Sequence, residues 1–520
     1  MRTKKEVKNQ KGITLIALVI TIIVLLILAG VTIATLKGDN GLLTKAQQVK
    51  EENEKASDRD KIAMAVSEAQ IGENGYQKLN LNNLQEAIDN QFNDRDVVVS
   101  DNGYGTFKVG VNNKIYEIKN GQIDEVKVDL YINNEEDLKN FRDDVNAGNT
   151  YEGKYIVLTS NITLDINEEW EPIGYYPQTS STPDAEENKP FCGIFNGQGY
   201  SVNGLNIETQ DKVKGFFGLI SNGAIVENLN MGKNSSIKGK LVAGGVVGYA
   251  YNGARVINCK NYANIEVETQ IGGGVVGILD NNCECIGSVN FGKIRGNNII
   301  GGVSGSCKEN SSMKNCINNG QVFGIEMVGG ISGTLRSSAI ENCANYGVVS
   351  DNNNSETKYI GGIIGEAEGA EIIESYNLGQ ISGNQGVAGI VGWGYDMKIN
   401  SCYNNAIVTG TTKVSGVCGI VGIYGKGTNN YIENCYNSKN ITFSTLGGAI
   451  ANYVVSGEIL KLENNYYLEN TVNNSNELIP INGVEVKNDE EMKNLVQNLG
   501  EKFKEDINNI NNGYPILAWQ

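Results

Sequence analysis

Five aromatic residues stand at comparable places behind short glycine-rich blocks: Tyr249, Tyr251, Trp393, Tyr395 and Tyr424. Rings in such an array can stack on the faces of sugars, or they can cover the core at a turn. These five are the candidate ligand face, with host or cell-surface glycans as its partner. Acid–base chemistry on a polysaccharide asks for more. It needs two carboxylates at a fixed separation, or carboxylates that hold calcium beside a basic residue. The segments behind the blocks show no carboxylate column. Glu366, Glu368 and Glu371 cluster within a single unit, where a charged loop accounts for them. Histidine is absent from all 520 residues. No HExxH zinc site, no Ser-His-Asp or Cys-His nucleophile and no histidine-ligated haem or copper can therefore be built. The expectation is a protein without catalytic residues, metal or cofactor.

Ten cysteines remain to be explained. Cys259, Cys316, Cys343, Cys402 and Cys435 each precede a recurring Asn by two positions, and Ser288 and Ser375 take that place in two other units. Exchange with serine predicts a small, inward-facing position. Parallel Cβ vectors on stacked strands suit the disulfide dihedral poorly, so free buried thiols are expected. Cys283 and Cys285 form a C-x-C pair, with Cys307 one unit further on, but the spacing shows no full set of metal ligands. A formal net charge of −17 argues against nucleic acid, whose phosphates call for a basic face.

The elements that position these residues follow from a repeat. A Gly-Gly-hydrophobic-hydrophobic-Gly block places its second glycine at Gly215, Gly245, Gly274, Gly302, Gly330, Gly362, Gly389, Gly419 and, degenerately, Gly448. An Asn column keeps the same beat at Asn230, Asn261, Asn290, Asn318, Asn345, Asn377, Asn404 and Asn437. Two columns in phase over this length define a solenoid. The apolar pieces between them are short, rich in Val and Ile, and bounded by Gly and Asn, which is the pattern of strands. The expected fold is mainly β, a right-handed parallel β-helix. Each coil should hold roughly three short strands and three corners, and nine coils should make a rod roughly 40 Å long. Stacked Asn side chains can form amide ladders along it.

The block resembles the GLUG repeat of large bacterial surface proteins. Gly215-Phe-Phe-Gly218, Gly245-Val-Val-Gly248, Gly362-Ile-Ile-Gly365 and Gly389-Ile-Val-Gly392 carry the resemblance, as do Trp170-Glu-Pro-Ile-Gly174 and Phe191-Cys-Gly-Ile-Phe-Asn-Gly-Gln-Gly-Tyr200. It covers roughly residues 150–470. Some surface proteins with this repeat are IgA-cleaving metallopeptidases, but the zinc motif of that activity is missing here.

Upstream, residues 1–12 are basic, and Ile13 to Leu36 runs for 24 positions without a charge. As a helix this stretch spans about 36 Å, enough to cross a bilayer. Its basic flank should stay cytoplasmic and place the rest of the chain outside, at the cell surface. Lys11-Gly12-Ile13-Thr14-Leu15-Ile16 resembles the type IV prepilin leader. That resemblance implies cleavage between Gly12 and Ile13 by a prepilin peptidase, methylation of the new amine, and association with other pilin-like subunits. Ala17 departs from the pattern, since the family usually has Glu at the fifth mature position, where it neutralises a neighbour's buried amine.

Residues 37–71 read as a soluble continuation of the helix. Residues 72–127 read as a small pilin-like α+β region, with an amphipathic piece from Leu81 to Phe92 and a meander from Tyr104 to Val128. A helix over Asn133 to Ala147 should close the start of the coils, which occupy 128–470. Tyr175 to Pro190 is expected to be a polar, mobile loop. Within 471–520, a helix from Asp489 to Ile507 and a Tyr514/Pro515/Trp519 clamp should cap the other end, because open solenoid ends invite aggregation. The function expected is that of a membrane-anchored, surface-displayed, pilin-like or adhesin-like binding or structural protein. The alternatives are a pseudopilin-like component of a type II secretion or type IV pilus machine, and a polysaccharide-binding or polysaccharide-degrading β-helix.

Overall fold

The structure is a computed structural model. It describes residues 42–72, 75–92, 97–101, 105–111, 114–177, 182–208, 213–350, 358–410, 417–424, 430–443, 447–451, 460–473 and 483–520. The leader, the Gly12–Ile13 junction, Ala17 and the apolar stretch 13–36 lie outside these residues. Among the described residues no helix is long and apolar enough to cross a membrane.

Two compact units divide the chain. The first comprises Met1–Val99 and Gly121–Asp124, and is described by two helices. Helix α1 (Leu42–Ala69) packs on helix α2 (Leu81–Gln91). Ile62, Ala65 and Val66 on one helix and Leu84, Ala87 and Ile88 on the other are buried. Asn80 starts α2 through a reciprocal cap, its side chain accepting from Asn83 N at 3.0 Å while its own N–H donates to Asn83 Oδ1 at 2.8 Å.

The second unit, Ser100–Asn120 with Glu125–Gln520, holds the coils. The hairpin Thr106–Val111/Lys114–Lys119 belongs to it. A buried ion pair ties the hairpin to the coils: Lys108 Nζ lies 2.8 Å from Glu227 Oε1, which also accepts from Tyr155 Oη and Asn196 Nδ2. Such a pair is retained only where the remaining lone pairs are also satisfied, as they are here.

The coils form a parallel β-solenoid, and one coil shows the plan. It runs through Val276–Asp280, Glu284–Ile286, Val289–Asn290, Ile294–Gly296 and Ile299–Gly301. These strands belong to the first to fifth sheets, which contain 8, 12, 12, 10 and 9 strands in the same order. Each strand pairs in parallel with its counterpart one coil away, as in Val276↔Ser304 and Asn290↔Asn318. A coil therefore has five short strands rather than three. One of the two additional strands comes from the glycine block. The N–H groups of Val275 and Val276 both donate to Val303 O, at 2.8 and 3.0 Å, a bulge that splits one apolar run into two strands. Gly274 stands at the bend, where a Cβ would collide with the Gly302 carbonyl oxygen and the Asn290 amide.

Asn261, Asn290, Asn318, Asn345, Asn377, Asn404 and Asn437 form a continuous buried ladder. Each Nδ2 donates to the Oδ1 of the next, at 2.7–2.9 Å. Asn230 does not join it. Its register partner in the next coil is Lys260, and Met231 pairs with Asn261. The left-handed corner just before is filled by a second set, with Asn258, Asn315, Asn342 and Asn434 at φ of 52–55°. The ten cysteines are free and buried. The expected thiol column donates to backbone carbonyls two residues earlier, for example Cys343 Sγ to Glu341 O at 3.4 Å, and Ser375 Oγ repeats the contact at 2.9 Å.

Helix α3 (Glu135–Asn146) covers the start of the coils, burying Leu138, Phe141 and Val145 in the common core. Phe141 packs at 5.7 and 5.9 Å from the rings of Phe191 and Phe195. At the other end, the helix expected over 489–507 is two short pieces, α4 (Asp489–Lys493) and α5 (Val496–Leu499). Gly500, at φ 86°, ends the second. The tail lies along the side of the third sheet, with Tyr466 and Val486 in the same cluster. It covers the stacked rings of Tyr376, Tyr403 and Tyr436, 4.9 Å apart. Tyr436 Oη donates to Pro515 O, and Trp519 Nε1 to Glu374 O at 3.0 Å.

Candidate functional site

The first and fifth sheets meet along the glycine blocks. Gly248, Gly277, Gly305 and Gly333 lie so close to Val213, Val242, Ile271 and Ile299 of the fifth sheet that no Cβ would fit. Residues of the first sheet that face away from the core thus form two rows beside this seam, the inner one buried from Tyr249 to Glu366 and half-exposed only at Trp393. In each coil they fall four and six positions after the second glycine of the block.

The four-position row reads Tyr249, Ile278, Ser306, Thr334, Glu366, Trp393, and each pairs in register with the next. The six-position row reads Tyr251, Asp280, Lys308, Arg336, Glu368, Tyr395, in the same registers. Tyr249 and Tyr251 belong to a cluster with Tyr176, Val242 and Ile278. Five coils on, roughly 24 Å away at the inter-strand spacing, Trp393 packs against Tyr359 at 5.5 Å and Tyr395 at 5.1 Å. Tyr424 is out of step. It falls five positions after Gly419 and pairs with Gly394, on the row of Leu279 and Ala367, which are core residues.

Between the aromatic ends lies a strip of paired charges of both signs, which is not an acidic column. Buried Asp280 accepts from Tyr249 Oη at 2.6 Å and pairs with Lys308 Nζ at 3.0 Å. Arg336 holds Glu366 at 2.6 Å and Glu368 at 3.5 Å, and Thr334 Oγ1 donates to Ser306 Oγ at 2.8 Å. Burial, and then the hydrogen bond to Asp280, push the Tyr249 hydroxyl far above its ordinary range. The hydrogen bond to Glu368 holds that of Tyr395 up at about 12. Both phenols therefore stay protonated donors. The signal was present in the sequence as a fixed offset from the glycine, but mixed charges along it conceal it from a search for one residue type.

The carboxylates of Asp280 and Glu366 stand three coils apart on this face, each occupied by a cation. Among the described residues no group of three His, Cys, Asp or Glu could hold a metal ion.

No family model and no curated protein matches the chain. Three solved structures are similar at low identity. A candidate immunoglobulin A1 protease from Bacteroides ovatus is 19% identical, with 75% of this chain and 92% of that one covered and a TM-score of 0.33. The A-module of mannuronan C-5 epimerase AlgE6 from Azotobacter vinelandii is 11% identical, over 68% and 96% of the two chains, at 0.26. An IgA1 protease is 13% identical, over 76% of this chain and 29% of that one, at 0.25. Likeness at this level carries no argument about activity.

Proposed function

We propose that the chain is a non-enzymatic, surface-displayed binding protein whose first-sheet face takes a glycan, with its prepilin-like N-terminus as the tether. One observation carries this reading: two aromatic clusters bracket a strip of hydrogen-bonding and charged groups on one face of a regular scaffold. The half-exposed Tyr251, Trp393 and Tyr395 supply apolar ring faces for sugars, and the half-exposed Lys308, Arg336 and Glu368 supply donors and acceptors between them. Neither Asp280 nor Glu366 is free to act as an acid–base pair, which supports binding over turnover. The resemblance to GLUG-repeat surface proteins and the uncharged stretch from Ile13 to Leu36 support display outside a membrane.

The test is a fluorescence titration of the full chain with a panel of cell-surface polysaccharides, since Trp393 reports directly from that face. A saturable change is expected without shortening of the polymer, together with calorimetric binding that is lost in Trp393→Ala. Binding that survives Trp393→Ala unchanged, or release of shorter products, overturns the reading. The tether is tested separately by the mass of the N-terminal peptide from cell envelopes. A start at Ile13 is expected, and an intact Met1 reduces the segment to a plain anchor.

A further inference from the structure

The hairpin Thr106–Val111/Lys114–Lys119 meets the second sheet around three buried polar side chains. Lys108 is 5% exposed, Asn196 3% and Glu227 0%. Asn196 and Glu227 are register partners in successive coils. Tyr155, whose hydroxyl touches Glu227, belongs to an apolar cluster with Ile115 and Val157.

Two nitrogens of different chemistry meet there on one oxygen. Glu227 Oε1 accepts from Lys108 Nζ at 2.8 Å and from Asn196 Nδ2 at 2.9 Å. The amine and the amide are thus no more than two hydrogen bonds apart, with a carboxylate between them. Tyr155 Oη donates to the same oxygen at 2.8 Å, and Lys108 Nζ lies 5.0 Å from the centre of its ring. The other end of the Asn196 amide is held as well. Its Oδ1 accepts from Gln198 N at 2.8 Å and from Asn228 Nδ2 at 3.3 Å. Those donors fix which end of the amide is which. They also polarise the carbonyl, and they face the oxygen on which negative charge develops when a nucleophile adds to Cγ. An ion pair alone accounts for neither the amide between these groups nor its donors.

We infer that Lys108 and Asn196 become joined by an isopeptide bond, with Glu227 carrying the protons. The Lys108 ammonium gives one proton to Glu227, and the resulting amine adds to Asn196 Cγ. Attack needs an approach to about 3 Å, which a turn of the long lysine side chain supplies. Nζ–Cγ forms and Cγ–Nδ2 breaks. A second Nζ proton travels through Glu227 to Nδ2, so that ammonia leaves, while the first stays on the carboxyl. The step consumes no oxidant and no cofactor. Two buried charges give way to a neutral amide and a neutral acid, which removes the cost of holding them out of water. A pull applied between the N-terminal side of Lys108 and the later coils then passes directly to Asn196 and spares residues 109–195.

The experiment is peptide mass mapping of the full chain after trypsin, with fragmentation to place the link. One joined peptide should carry both Lys108 and Asn196, lighter than its two linear parts by one ammonia, about 17 Da. Trypsin should leave the chain uncut after Lys108. Lys108→Arg and Asn196→Ala should each give back linear peptides. Glu227→Gln keeps the shape of the side chain without its proton exchange, and should lower the joined fraction at least about 10-fold. Where a variant fails to fold by circular dichroism, the native chain still decides. Linear peptides from it, with cleavage after Lys108, overturn the bond. Joining of Lys108 to Glu227 with loss of one water, about 18 Da, overturns Asn196 as the partner. Joining that is undiminished in Glu227→Gln overturns the carboxylate's part in the step.

Discussion

The third-sheet corner and the first-sheet face are built by the same coils yet obey opposite rules. At the corner, successive coils place the same side chain, Asn261 through Asn437, in the same buried slot. Each amide there satisfies its neighbour and the backbone two residues on, as Asn345 does with Gly347 O at 2.9 Å and Asn377 Oδ1 at 2.7 Å. Identity is the requirement, because a ladder tolerates no missing rung. On the face no two neighbouring coils agree: Tyr251, Asp280, Lys308, Arg336, Glu368 and Tyr395 share a row. Repetition marks what holds the coils together, and departure from repetition marks what the surface is for.

The largest test of that contrast is a single methyl group. Gly362→Ala would drive a Cβ into the Gly389 carbonyl oxygen and the Asn377 side chain. Overpacking where only backbone can give way should cost ~3 kcal/mol or more, and circular dichroism should show little soluble folded protein. A normally folded Gly362→Ala chain would mean the blocks do not set the coil spacing.

Alkaline titration comes next, since it probes the buried side of the coils. Burial pushes the Cys259 and Cys283 thiols from an ordinary 9.0 to about 12. The folded chain therefore keeps protons that the unfolded chain releases, so stability is intact below pH 9 and is lost as pH rises towards 12. The loss should be ~1 kcal/mol per thiol per pH unit, read from urea midpoints. A flat profile from pH 8 to 11 would place those thiols at the surface, as would rapid reaction of the native chain with a thiol reagent.

A rung removed from the ladder should cost less than the methyl group but far more than anything on the face. Asn345→Ala removes one hydrogen bond each from Asn318 and Asn377 and both side-chain bonds to the backbone of Gly347, a loss of ~3 kcal/mol. Thr334→Val removes one hydroxyl pair and should cost ~1 kcal/mol. Trp393→Ala should cost least in stability, under ~1 kcal/mol, while abolishing calorimetric binding of the glycan. If Trp393→Ala proves as destabilising as Asn345→Ala, the aromatics of the face are part of the scaffold and the contrast collapses.

Much of this was legible beforehand. The beat of the glycine blocks specified a parallel β-solenoid, and exchange of Cys with Ser at Cys343 and Ser375 specified small buried positions. The errors are local. Asn230 looks like a rung and is one register away, because the coil before Asn261 places Met231 in the slot. Tyr424 stands one residue further from its glycine than Trp393 does from its own, and its backbone pairs in register with Gly394. The helix over 489–507 is interrupted after Lys493 and ends at Gly500, and the tail clamps a lateral stack of tyrosines that spacing alone did not reveal.

By itself the sequence determined the repeat, its strand character, the buried thiol column and the absence of histidine chemistry, because periodicity and composition are properties of the chain. The tertiary structure alone decided the rest. It split the apolar run at each glycine block into two strands, since a bulge is a matter of which carbonyl two N–H groups share. It joined Asp280 to Lys308 and Arg336 to Glu366, residues 28 and 30 positions apart in the chain that stacking brings within hydrogen-bond reach. Contacts of that kind depend on how far each coil advances and how it turns, and no single repeat contains that information.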